Sequence, residues 1–271
     1  MHVCSLTEEA ILRPQWPVPA NVRAVFTTRQ GGCSPAPYES LNLGTHVGDD
    51  PAAVAANRTA LRQWVGLAPN YLEQVHGTAV LELVEPLNLV PCADGSASAA
   101  AGVVCTVMVA DCLPILLSDS RGRWVAALHA GWRGLLGTAG VGVVEQGVAA
   151  FSTFFQAESR HDAAYQASEL IAWLGPCIGP AAFEVGDEVR AAFVASDAGA
   201  AACFVAHHGK WLSDLPALAR RRLAACGVTR VYGNDGSLPW CTVSNPGRFF
   251  SHRRDRVSGR MAACIWLDAG L

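Results

Sequence analysis

Cys112-Leu113-Pro114-Ile115-Leu116-Leu117-Ser118, then Asp119-Ser120-Arg121-Gly122, then Trp124-Val125-Ala126-Ala127-Leu128-His129 reads as two apolar strands joined by a tight turn. Each run has strand length, and the Asp/Ser/Gly cluster between them is turn chemistry. With Ser120 and Arg121 as the loop residues, Cys112 falls opposite His129. Opposed residues in an antiparallel pair have Cα atoms roughly 4.5–5.5 Å apart, close enough for a thiolate and an imidazole to share one Zn²⁺. A slip of one residue would send the two to opposite faces. A metal-free thiolate/imidazole pair for nucleophilic catalysis fits the same two residues.

Upstream of the hairpin, residues 22–28 are expected as the first strand, followed by a glycine-rich turn over 29–35. Asp50 caps a helix with Pro51 at its first position, and Val54, Leu61, Trp64 and Val65 form its apolar stripe. Strands are expected over 71–75, 79–84 and 103–110, with a low-complexity Ala/Ser/Gly-rich stretch over 92–102 that is too short for an interdomain linker. Downstream, Gly131-Trp132-Arg133-Gly134 leads into an expected helix over 135–155, whose glycine-flanked N-terminus suits phosphate or a developing oxyanion. Further strands are expected over 170–174, 229–232 and 261–267, and helices over 187–195 and 214–226. Strands and helices mix without a strict βαβ repeat, so the expected fold is mixed α/β (α+β): a single-domain layered sandwich of mixed β-sheets flanked by helices. Residues 1–21 would be an N-terminal extension and residues 22–271 one catalytic domain.

Composition agrees with a compact globular protein. The 271-residue chain is 51% hydrophobic and only 16% charged, enough apolar material for a sizeable core. Its net charge of −3 gives no global attraction to nucleic acid or to an anionic membrane. Ten cysteines are scattered without a CxxC pair, the pattern of reduced, buried thiols. No basic n-region and apolar h-region open the chain, and no uncharged apolar run reaches the length of about 20 residues that spans a bilayer. The expectation is a soluble cytoplasmic protein, monomeric or a small homo-oligomer.

Arg248, Arg253, Arg254, Arg256 and Arg260 fall within thirteen residues, interleaved by Phe249 and Phe250, while Arg29 and Arg133 flank glycine-rich turns. In a mildly acidic chain such a cluster points to a local pocket for phosphate or a nucleotide-like substrate, since the guanidinium fork suits bidentate phosphate contact. Asp111 and Glu184 are the candidate carboxylates for protonating a leaving group or for holding a ligand histidine's second nitrogen.

Seven segments resemble one family. They are Phe26-Thr27-Thr28-Arg29-Gln30-Gly31-Gly32, Ser40-Leu41-Asn42-Leu43-Gly44-Thr45-His46-Val47-Gly48-Asp49, Gln74-Val75-His76-Gly77, Ala110-Asp111-Cys112-Leu113-Pro114, His129-Ala130-Gly131-Trp132-Arg133-Gly134, Gly175-Pro176-Cys177-Ile178-Gly179 with Glu184-Val185-Gly186, and Arg248-Phe249-Phe250-Ser251-His252-Arg253-Arg254 with Gly259-Arg260. The family is variously known as laccase-domain proteins, polyphenol oxidases, peptidoglycan editing factors and, more recently, purine nucleoside phosphorylases. The resemblance implies a zinc site on His76, Cys112 and His129, with the fourth position open as in catalytic zinc; copper is the alternative ion. It implies phosphorolysis of adenosine, inosine or methylthioadenosine, with adenosine deamination as a second activity, and purine nucleoside and phosphate as the partners. Cys112, Glu184 and Arg133 are then the catalytic candidates, and Arg29, Asn42, Arg253 and Arg254 the substrate-binding ones. The Ala93-Asp94-Gly95 segment departs from the family pattern at the lip of the site. A peptidoglycan-precursor editing hydrolase, a copper-dependent polyphenol oxidase and a metal-free Cys/His hydrolase are the alternatives. Against multicopper chemistry, the chain has eight histidines and no H-x-H pair.

Overall fold

The hairpin forms from strands Leu113–Asp119 and Val125–Ala130 in a computed structural model that describes residues 4–158 and 167–270. Its register differs from the expected one: Pro114, not Cys112, lies opposite His129. The turn is longer than two residues because the buried Asp119 carboxylate gathers the amides of Arg123 and Trp124 and also the Arg123 guanidinium. Gly122 supplies the left-handed backbone that closes it, at φ 67°. A shift of two residues preserves the face of every side chain. Cys112 therefore stands just beyond the strand, on the sheet end where His129 lies.

Around this hairpin a six-stranded sheet runs in the order Arg230–Gly233, Leu170–Leu174, Leu113–Asp119, Val125–Ala130, Gly95–Ser98, Val80–Glu82, parallel at both edges and antiparallel between. A five-stranded sheet packs against it in the order Ile11–Leu12, Val22–Thr27, Met261–Leu267, Val104–Val109, Pro69–Asn70. Alternation along each strand divides the core. Leu116, Ala127, Trp173, Val107, Phe26 and Ile265 meet between the sheets. Ile115, Leu117 and Leu128 face outward onto the helices Val143–Glu158 and Leu215–Ala225, while Val25, Met108 and Cys264 face the helix Pro51–Val65. The result is the expected mixed α/β sandwich, with helices on both outer faces. A small sheet of Glu184–Val185, Lys210–Ser213 and Phe204–His207 sits apart from the two large ones.

Helix Pro51–Val65 follows its sequence signals: the Asp50 side chain accepts from Ala52 N at 3.0 Å, Pro51 needs no partner for its missing N–H, and Gly66 closes the C-terminus at φ 79°. The expected helix over 135–155 is instead two, Trp132–Leu136 and Val143–Glu158, because Gly137 and Gly140 take positive φ and turn the chain between them. The small-residue stretch holds a fully buried strand, Gly95–Ser98. A Cβ at Gly95 would come within 2.8 Å of Leu128 Cδ2, so the neighbouring strand demands the glycine. Before the first long strand, Leu6, Ala10 and Ile11 are buried in the core. Among the described residues no helix is long and apolar enough to cross a membrane.

Candidate active site

Three donors converge at one end of the six-stranded sheet. His129 is the penultimate residue of its strand, Cys112 immediately precedes the partner strand, and His76 projects from a turn with left-handed backbone, φ 60°. Cys112 Sγ lies 3.6 Å from His76 Nε2, the two imidazole rings are 4.8 Å apart at 72°, and one ligand atom from each residue falls within 4.8 Å of the others.

A buried carboxylate that the sequence reading left at the lip organises this group. Asp94 Oδ1 accepts from His129 Nδ1 at 2.8 Å, so the ring turns Nε2 toward the other two donors. The same carboxylate accepts from the backbone N–H groups of His76 at 2.9 Å, Gly77 at 2.6 Å and Val75 at 3.2 Å. One side chain thus orients one donor and closes the strained turn that presents another. The expected candidate for holding a ligand histidine, Asp111, does something else: it accepts from the Thr242 hydroxyl and from Arg253 N, each at 2.6 Å.

The electrostatics follow from this arrangement. Burial alone would push the Cys112 thiol up, but His129 and His76 beside it outweigh burial and bring it down to about 6. His129 loses from burial and gains more from Cys112 and Asp94, which raise it to about 9. Asp94 is pushed up by burial and pulled below its ordinary value by the hydrogen bonds from His129, Gly77 and Val75. Near neutral pH the sulfur is therefore an available anionic donor. A tetrahedral ion with Zn–S of about 2.3 Å and Zn–N of about 2.0–2.1 Å would set its donors roughly 3.4–3.6 Å apart. The Cys112–His76 spacing matches, and the soft sulfur with two imidazoles suits a borderline ion, so these residues could hold a metal.

The glycines after His129 serve close packing. A Cβ on Gly131 would stand 2.8 Å from His76 Cδ2 and 3.1 Å from Cys112 Sγ, and one on Gly134 would meet Gly77 O at 2.6 Å. The helix they open is only five residues long. It lets the chain pass directly against the donor group.

The donors open into a cavity of about 840 Å³ whose lining carries five arginines, Arg58, Arg133, Arg253, Arg256 and Arg260, against two acids, Glu73 and Asp111. Arg133 and Arg253 thus lie where the sequence placed them. Glu184 is outside the lining: it pairs with Lys210 at 2.6 Å, and its carbonyl accepts from Arg253 Nη1 at 3.0 Å. Asn42 is fully buried, tied to Gly44, Asp49 and the amide of Arg260. Arg254 is consumed by the carbonyls of Thr242, Val243 and Phe249 and by Asp255. Arg29 lies over Phe250 and donates to the carbonyls of Glu39 and Pro246. These last three residues fasten loops and do not line the cavity. Arg58, His46, Trp132 and Phe183 do line it; none was a candidate site residue, although His46 and Trp132 fall within segments that resemble the family.

Residues 23–268 match a family model described as multi-copper polyphenol oxidoreductase laccase. The chain is 48% identical over 261 residues, 96% of this chain and 99% of the relative, to a Pseudomonas aeruginosa protein named purine nucleoside phosphorylase. It is 48% identical over 259 residues, covering 95% and 98%, to purine nucleoside phosphorylase YfiH of Escherichia coli. Among solved structures it is similar to a Neisseria meningitidis protein at TM-score 0.82 and 45% identity, covering 96% of this chain and 100% of that one. YlmD from Geobacillus stearothermophilus matches at TM-score 0.80 and 29% identity, with 98% and 99% covered.

Proposed function

The chain belongs to the family described as multi-copper polyphenol oxidoreductase laccase, and from that membership we propose that it is a zinc-dependent purine nucleoside phosphorylase. The observation that carries this reading is the His76, Cys112, His129 group opening into an arginine-rich cavity. In phosphorolysis a phosphate oxygen forms a bond to C1′ of the ribose while the C1′–N9 bond breaks and the base leaves with its electron pair, to be protonated. Adenosine, inosine and methylthioadenosine are the substrates this reaction implies here, with hydrolytic deamination of adenosine as a second reaction of the same site.

His76, Cys112 and His129 would hold the zinc, which when bound would supply a Lewis acid in the cavity they line. Asp94 keeps the His129 ring in one tautomer and fixes the His76 turn, so both donors are aimed before substrate arrives. Arginine side chains bind and neutralise phosphate. Trp132, Phe183, Val75 and Val90 give apolar wall for a purine. Arg133, in the cavity lining, would contact substrate directly. Glu184 acts at one remove, its carbonyl steadying Arg253. Multicopper oxidation fits less well, because His76, Cys112 and His129 are the one group of three such donors among the described residues.

A specific observation favours a second reading. Asp94, His129 and Cys112 stand in the order orienting acid, imidazole, sulfur, which is also the arrangement of a metal-free thiol hydrolase. His76, with Nε2 3.6 Å from the sulfur, weighs against it. Purified protein incubated with adenosine, inosine or methylthioadenosine should release free base and the sugar 1-phosphate only when phosphate is present, and chelation should stop it. No base release would sink the phosphorylase reading. Full activity without metal, abolished by alkylation of Cys112, would install the thiol hydrolase in its place.

A further inference from the structure

The cavity has an end that the arginine-rich segment 252–256 does not build. Arg58, from the helix Pro51–Val65, and Arg260, just before the strand Met261–Leu267, both line it together with Thr45 and His46. Both guanidinium groups are drawn below their ordinary value by burial, and neither makes an ion pair with a carboxylate among the described residues. A guanidinium taken out of water without an anion is costly. The protein positions these two deliberately, as their hydrogen bonds show. Arg58 Nε donates to Leu43 O at 2.9 Å, and the group lies 3.7 Å over the Tyr71 ring. Arg260 Nη1 donates to Ser258 O at 2.8 Å and Gly259 O at 3.1 Å. The backbone of Arg260 is locked to the same segment as Arg58: its N–H donates to Asn42 Oδ1 at 2.9 Å and its carbonyl accepts from Leu43 N at 3.1 Å.

Each arginine is thus gripped on one side by neutral carbonyls, which leaves further N–H donors for the cavity. Arg260 also lies close enough to Cys112 and Asp111 to feel both charges, so this end adjoins the donor group. His46 is lowered by its partial burial and by Arg260 and Arg58, so at neutral pH it offers a neutral ring to an anion-binding end. The contrast with Arg254 is direct: that residue has an acid and three carbonyls, and no capacity to spare.

We infer that Arg58 and Arg260, set by the Asn42–Leu43 segment and flanked by His46, form the subsite for the inorganic phosphate that attacks the nucleoside. This rests on the phosphorylase reading for the role of the anion, while the binding itself can be measured without turnover. Asn42 is then a positioning residue, acting through the backbone of Arg260.

The test is calorimetric titration of the metal-loaded protein with inorganic phosphate, and separately with adenosine 5′-monophosphate, for wild type, Arg58→Met, Arg260→Met and Arg253→Met. Melting without phosphate reports folding, and Arg58→Gln and Arg260→Lys stand in for any variant that fails to fold. Loss of charge-assisted hydrogen bonds should weaken phosphate binding by roughly tenfold or more in the Arg58 and Arg260 variants, with Arg253→Met much less affected. In turnover the same two variants should raise KM for phosphate more than KM for nucleoside. Unchanged phosphate affinity in both variants overturns the subsite, as does binding of the monophosphate alone. Phosphate binding that depends on Arg58 and Arg260 in a protein that never releases a purine would leave the subsite standing and remove the phosphorylase reading. Normal phosphorolysis with unaltered phosphate KM would do the reverse.

Discussion

Two aspartates are buried beside the donor group, and they do opposite work. Asp94 has no exposed side chain and spends its oxygens on the donors themselves, holding the His129 ring and the amides of Val75, His76 and Gly77. Asp111, the residue before Cys112, spends its oxygens on the opposite wall, holding the Thr242 hydroxyl and the amide of Arg253. Its own backbone is left-handed, at φ 89°, and its carbonyl accepts from Ile178 N. One carboxylate sets the geometry of the three donors; the other registers the arginine-bearing wall of the cavity against them. Adjacency in sequence to a donor was the wrong guide to which acid supports the donors.

Replacing each in turn separates the two roles. Asp94→Ala should be the most damaging change: it strands three backbone N–H groups and frees the imidazole, at about 3–5 kcal/mol of folding stability and roughly 10–100-fold in metal affinity. Urea unfolding together with competition against a chromophoric chelator would measure both, and unaltered metal affinity would show that Asp94 is no support at all. Gly131→Ala presses a methyl against His76 Cδ2 and Cys112 Sγ. Its strain of about 1–3 kcal/mol falls on the donor group, so metal affinity should drop and the unfolding midpoint of the metal-free protein should fall, but by less than for Asp94→Ala. A metal-free midpoint that falls as far as for Asp94→Ala would mean the glycine serves the core instead. Asp111→Asn keeps the shape and removes the charge, and is expected to cost the least, about 1–2 kcal/mol. Metal stoichiometry should be retained and nucleoside kcat/KM should fall; lost metal would erase the distinction between the two aspartates.

The sequence showed what local chemistry decides. The Asp50 cap, Pro51 and Gly66 bound one helix almost to the residue, and apolar runs of strand length marked the strands that meet between the sheets. Register failed by two residues because the length of the hairpin turn is set by what the Asp119 carboxylate gathers. The strand Gly95–Ser98 was illegible for a different reason: its small residues answer to Leu128 on the neighbouring strand. At the site, Cys112 and His129 were readable from the hairpin, whereas His76 came only through the family resemblance. Asp94 acts on a histidine 35 residues away, which no local pattern encodes. Arginine density was a partial guide: Arg253, Arg256 and Arg260 of the cluster line the cavity. Arg29 and Arg254 are absorbed by carbonyls, while Arg58, on the helix Pro51–Val65 and outside the cluster, reaches the cavity.

The turn that carries His76 has a further consequence. Protein hydrogen bonds close it, since Asp94 gathers the amides of Val75, His76 and Gly77. Small zinc-dependent domains are unfolded until metal arrives, and there the ion is part of the folding nucleus. Here a side chain of the protein casts the mould. An ion held by these donors would therefore contribute little to closing the turn, and its removal should leave the turn folded.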